Sequence, residues 1–113
     1  VKRLEPVRLT IQKAIPASLI LNEVVVNAYK HAFQGQSEGS ITITLTQSEG
    51  SGEIEMTVAD NGVGLPPDFD PLDQKSLGMT LVKTLIQQIR AELQVVTPPD
   101  GQGSMFVIRF PGD

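Results

Sequence analysis

At 113 residues, with 40% hydrophobic and 19% charged, the chain suits one compact domain over 1–113 with a packed core, and neither two domains nor a disordered chain. A net charge of −4 argues against nucleic-acid binding, which needs a concentrated basic surface, and against docking on an anionic membrane. The absence of cysteine excludes disulfides, zinc–thiolate sites and thiol catalysis, and is compatible with a cytoplasmic setting.

The chain opens on Val1 and not on methionine, which points to a piece of a longer protein. Lys2 and Arg3 run into the broken stretch Leu4 to Arg8 and not into an apolar signal core. No apolar run approaches the roughly 20 residues of a membrane span. Val7, Leu9 and Ile11 alternate with Arg8, Thr10 and Gln12, which predicts a half-buried strand. Pro16 then fits the first turn of a helix that runs to about Phe33 and stops near Gly35. Ile41 to Thr46 is the cleanest alternating strand. The turn Ser48-Glu49-Gly50-Ser51-Gly52 leads to a second, with Ile54, Met56 and Val58 on one face, and the two predict an antiparallel hairpin. Residues Asn61 to Ser76, rich in proline, glycine and acid, read as a loop. A second helix follows from about Leu77 to Arg90, with Val82, Leu85, Ile86 and Ile89 as its apolar stripe. Strands over Leu93 to Thr97 and Ser104 to Phe110, joined by Pro98-Pro99-Asp100-Gly101, complete the order. The fold class expected is an α/β sandwich: a mixed, mostly antiparallel sheet with helices on one face.

On a helical wheel, Leu21, Val25, Ala28 and Ala32 form a core stripe, and Glu23, Asn27, Lys30 and His31 fall opposite it. The flanks stay apolar, with Ile20 and Val24 on one edge and Leu19, Val26 and Phe33 on the other. The helix therefore reads as buried on most sides, with a narrow polar line that needs partners. From spacing alone this line is equally a solvated face or a site for a hard cation and phosphate. Glu23 and Asn27 offer oxygen ligands one turn apart, as magnesium prefers, and Lys30 would meet phosphate as a point charge.

Asp60-Asn61-Gly62-Val63-Gly64-Leu65-Pro66 ends the second hairpin strand. Its glycines let the backbone turn and approach a ligand, and Asp60 offers a carboxylate to the N–H groups of an amino-heterocycle. The plain alternative is an Asn-Gly turn. Ser76-Leu77-Gly78-Met79 opens the second helix with a good N-cap, and Gly78 bares the N–H groups of its first turn. Here the plain alternative is a capped helix that tolerates a glycine.

In order, N-E-V-V-V-N-A-Y-K-H-A-F, D-N-G-V-G-L-P, S-L-G-M-T-L-V and G-S-M-F-V-I-R-F resemble the ATP-binding catalytic domain of sensor histidine kinases. That domain belongs to the superfamily of gyrase, the large heat-shock chaperone and mismatch-repair ATPases, with its Bergerat-type fold. The resemblance spans about residues 16 to 111 and is nearest to the short-lid subgroup. It implies that Asn27 holds Mg2+ and that Glu23 assists the metal or its water and is a candidate general base. Lys30 would contact phosphate. His31 follows that lysine in the same box and is not the phosphorylated histidine. Asp60 would accept the adenine amino group, with Ser104 supplying a hydroxyl beside it. Gly62 and Gly64 would close the backbone over the nucleotide. Ser76, Leu77 and Gly78 would present the helix start to the phosphates, and residues 65–76 would form a lid. The chain departs from the family in having one glycine in the second glycine box, no separate phenylalanine box, although Phe69 lies in the lid, and Arg90-Ala91 where Gly-Gly is common.

The resemblance implies phosphoryl transfer from ATP·Mg to a histidine on a dimerisation and phosphoacceptor domain of the same protein. A response regulator then receives the group on an aspartate. His31, the one histidine, falls in the nucleotide site, so the acceptor is expected elsewhere. Two alternatives stand beside this: an anti-sigma-factor-type serine kinase, and a nucleotide-binding module without transferase activity.

Overall fold

The computed structural model describes residues 2–4, 7, 9–32, 39–62, 77–96 and 103–112, with backbone alone at 2–4, 30–32, 77 and 79. In chain order the elements are β1 (Lys2–Leu4), α1 (Ile11–Ala32), β2 (Ile41–Gln47), β3 (Ile54–Asp60), α2 (Leu77–Ile89), β4 (Glu92–Val96) and β5 (Ser104–Phe110). The strands form one sheet in the order β1-β2-β3-β5-β4. β1 pairs parallel with β2, and every other pairing is antiparallel. The sheet is thus mixed and mostly antiparallel, as the element order predicts.

Alternation dictates which side of the sheet is covered. On β3, Ile54, Met56 and Val58 are buried, and on β5, Phe106, Ile108 and Phe110 are buried. These face Ala17, Ile20, Val24 and Ala28 of α1 and Val82, Leu85, Ile86 and Ile89 of α2 in a single core cluster. Both helices therefore lie on one face of the sheet. The other face is polar at its margin, where the Arg109 Nε donates to Glu55 Oε2 at 2.8 Å across the β3–β5 register.

The segment before α1 differs from its predicted form. Among the described residues, Val7, Leu9 and Thr10 lie in no strand. Thr10 caps α1 instead, its carbonyl accepting from Lys13 N at 3.0 Å and Ala14 N at 2.8 Å, and Ile11 is already helical. Val7 and Leu9 do pack against the core, so their alternation serves burial and not strand pairing. Among the described residues of this region, the strand lies earlier, at Lys2–Leu4. Pro16 consequently sits well inside α1 and not in its first turn, where it has no N–H to offer the Gln12 carbonyl four residues back. Lys13 anchors this end by donating from Nζ to the Pro111 carbonyl at 3.0 Å and the Gly112 carbonyl at 2.9 Å.

α1 is also less enclosed than its composition suggests. Ile11, Ile15, Leu19 and Tyr29 are exposed, at 73%, 56%, 42% and 68%. The fully buried edge is that of Ala17, Ile20, Val24 and Ala28, while Leu21 and Val25 are only partly buried against it. The polar line of Glu23 and Asn27 thus runs along the margin of the core, beside Ile20, and not through an apolar surround. No described helix is long and apolar enough to cross a membrane.

Candidate functional site

The same alternation that builds the core also aims Asp60. It follows Ile54, Met56 and Val58 at the period of two, so it points to the helix-covered face where the apolar stripe of β3 ends. It is 5% exposed. A buried carboxylate needs hydrogen-bond partners, and two are in place. The Ser104 hydroxyl donates to Oδ2 at 2.8 Å, and the Gly62 N–H donates to Oδ1 at 2.9 Å. The first contact follows from register, because Asp60 and Ser104 are Cα partners across the β3–β5 pair. The second is a local turn made by the chain as it leaves the strand. Asn61 closes the rim by accepting from Ser40 N through Oδ1 at 2.9 Å.

One glycine that the motif G-S-M-F-V-I-R-F contains without a role of its own belongs to this arrangement. Gly103 has φ +81, and a Cβ there would meet the Asp60 carbonyl oxygen, with the Asp60 carbonyl carbon at 2.8 Å and Oδ1 at 2.9 Å. Its left-handed backbone and this close approach both require glycine. The sequence signal was its place just before Ser104 at the strand start. The neighbour that makes it necessary is Asp60, far away in sequence on β3, and spacing does not reveal it.

Glu23 and Asn27 are half-buried on α1, one turn apart. The Glu23 carboxylate lies against Gly78 in the first turn of α2, where a Cβ would stand 2.7 Å from Glu23 Cδ. The structure therefore brings together two of the predicted boxes, Glu23 with Gly78, and separately joins Asp60, Gly62 and Ser104. For Lys30, His31 and Leu77 only the backbone is described, helical in each case. Gly64, Ser76 and the predicted lid over 65–76 lie outside the described residues, as does Phe69.

Chemically, one end of the sheet presents a fixed acceptor at Asp60, and the α1–α2 junction presents a carboxylate and an amide. Residues 12–113 match the model of the family described as histidine kinase-, DNA gyrase B-, and HSP90-like ATPase. The chain belongs to that family. It is an ATP-binding domain of the kind carried by sensor histidine kinases. It is 34% identical over 108 residues to blue-light-activated histidine kinase 2 of Erythrobacter litoralis, covering 95% of this chain and 30% of that protein. Over 75 residues it is 36% identical to the sensor histidine kinase PdtaS of Mycobacterium tuberculosis, covering 66% of this chain and 15% of the relative. The solved histidine kinase domain of the Erythrobacter litoralis EL346 blue-light-activated kinase superposes with a TM-score of 0.83 at 29% identity, over 97% of this chain and 49% of that one. The domain thus spans a third or less of the full-length relatives it matches.

Proposed function

We propose that this domain binds ATP with Mg2+ and transfers the γ-phosphoryl group to a histidine on a dimerisation and phosphoacceptor domain of the same protein. A response regulator is the onward acceptor, and the setting is cytoplasmic. The observation that carries the reading is the buried Asp60 carboxylate, held by Ser104 and Gly62 at the end of the core stripe. A carboxylate accepts up to about four hydrogen bonds, so two positions remain for the adenine amino group and a water.

The donor set suits magnesium. Glu23 and Asn27 supply hard oxygen ligands, and two protein ligands leave room for phosphate oxygens and water, as this ion requires. When bound, the metal neutralises phosphate charge. Asn27 would be the primary ligand, with Glu23 beside it or on its water. Lys30 adds a point charge, His31 lines the same box, and Leu77 and Gly78 offer the free N–H groups of the α2 start together with Ser76. Gly64 and the lid over 65–76 would close over the nucleotide. In the transfer, a histidine nitrogen lone pair forms the bond to the γ-phosphorus, the bond to the β–γ bridging oxygen breaks, and ADP leaves. Positioning and charge neutralisation supply most of the catalysis in such a step.

Single-turnover transfer from labelled ATP to a supplied histidine phosphoacceptor domain tests this reading. Acid-labile label on the acceptor histidine is the expected result. Acid-stable label on a serine substrate would point to the serine kinase. Saturable ATP binding with no transfer to either acceptor would leave only a nucleotide-binding module.

A further inference from the structure

Gly78 is the second residue of α2, a position where alanine is the better helix former. Its backbone does not call for glycine, because the left-handed glycines among the described residues are Gly52 and Gly103. What occupies the space of its missing side chain is Glu23. A Cβ at Gly78 would meet Oε2 and stand 2.7 Å from Cδ and 3.2 Å from Oε1. The obstructing atoms are the far end of a flexible side chain and not backbone. An alanine here is therefore accommodated by moving the carboxylate, at little cost to the fold. The α1 and α2 axes are already held together by Ile20, Val24, Val82 and Ile86 in the core.

We propose that Gly78 is a positioning residue for Glu23: its bare α-carbon leaves open the place against the first turn of α2 in which the Glu23 carboxylate stands. Asn27 follows Glu23 by one turn of the same helix, so the orientation of this carboxylate sets one side of the candidate metal site. Gly78 thus acts on the metal through Glu23, in addition to any contact of its own N–H with phosphate. The inference rests on the proposed placement of magnesium beside Glu23 and Asn27.

The test is a cycle of Gly78→Ala, Glu23→Ala and the double variant. It reads the thermal midpoint, the side-chain carboxyl 13C resonance of Glu23, and the affinity for a non-hydrolysable ATP analogue with and without magnesium. Gly78→Ala is expected to keep or raise the midpoint and to shift the Glu23 resonance. It is also expected to cut the magnesium-dependent gain in affinity by about tenfold, the scale at which supporting residues act on bound metals. Glu23→Ala is expected to make a similar cut, and the double variant no further one, because both remove the same interaction. If Gly78→Ala lowers the midpoint, adding Glu23→Ala restores it by clearing the obstruction. An unmoved resonance, a midpoint that stays low in the double variant, or cuts that multiply would each overturn the proposal. A shifted resonance in a domain that binds no nucleotide would support the positioning and overturn the nucleotide reading alone.

Discussion

Asp60 and Gly103 show how closely function and folding share atoms at the sheet end. Asp60 uses one carboxylate oxygen on Ser104 and the other on Gly62, with 5% of its surface exposed. Asp60→Asn replaces an acceptor with a donor on one side. Ser104 adapts by turning its hydroxyl, but a nucleobase amino group does not. Loss of a hydrogen bond to a charged group is worth about 1.5–3 kcal/mol, so ATP affinity is expected to fall about tenfold to a hundredfold. Calorimetric titration of the variant reads this, and unchanged affinity would remove Asp60 from the base pocket. Gly103→Ala behaves differently. Its Cβ would strike the backbone carbonyl of Asp60 at a left-handed φ, and backbone does not step aside as the Glu23 side chain does. Destabilisation of about 2 kcal/mol or more is expected, read as a lower midpoint in chemical denaturation. At this scale the motif strings named Asp60 and Ser104. They contain Gly103, at the head of G-S-M-F-V-I-R-F, but give it no role, because its constraint comes from across the sheet.

Among the elements, the end of α2 carries a feature that the family comparison only hinted at. Arg90 has φ 58, the left-handed conformation that usually selects glycine. The Ala91 N–H donates to the Ile86 carbonyl at 2.9 Å and the Arg90 N–H to the Gln87 carbonyl at 3.3 Å. Together these bonds form a Schellman cap with arginine at the glycine position. Arg90→Gly is expected to stabilise the domain by up to about 1 kcal/mol, because the Cβ strain of a left-handed residue is removed. A higher denaturation midpoint would bear this out, and a lower one would show that the arginine side chain contributes more than its backbone costs. β3 was legible as a strand because Ile54, Met56 and Val58 alternate along its buried face, and the one interruption in the burial of β3 and β5 is at the central pair Thr57 and Val107, which are buried on the opposite face. The segment Val7 to Ile11 has the same alternation over only three apolar residues. There the Thr10 cap and a 22-residue helix prevail over it. The burial of α1 was misjudged for a related reason. Its apolar residues surround it, yet the sheet and α2 cover only one side, and Ile11, Ile15 and Leu19 remain exposed.

Seen whole, the molecule is a one-sided sandwich whose core stops where polar chemistry begins. The apolar stripe of β3 ends in Asp60, that of β5 begins at Ser104, and the buried edge of α1 is bordered by Glu23 and Asn27. Fold class was readable in advance because element order and alternation decide it. The joining of α1 to α2 through Glu23 and Gly78 was not, since it depends on how two helices cross. The most direct measurement is a crystal structure of this domain with a non-hydrolysable ATP analogue and magnesium. The predicted result places the exocyclic amino group of adenine within hydrogen-bond distance of the Asp60 carboxylate and the metal on the Asn27 side-chain oxygen. A nucleotide bound elsewhere, or the space beside Asp60 and Asn27 filled by the protein's own side chains at saturating analogue, would contradict it.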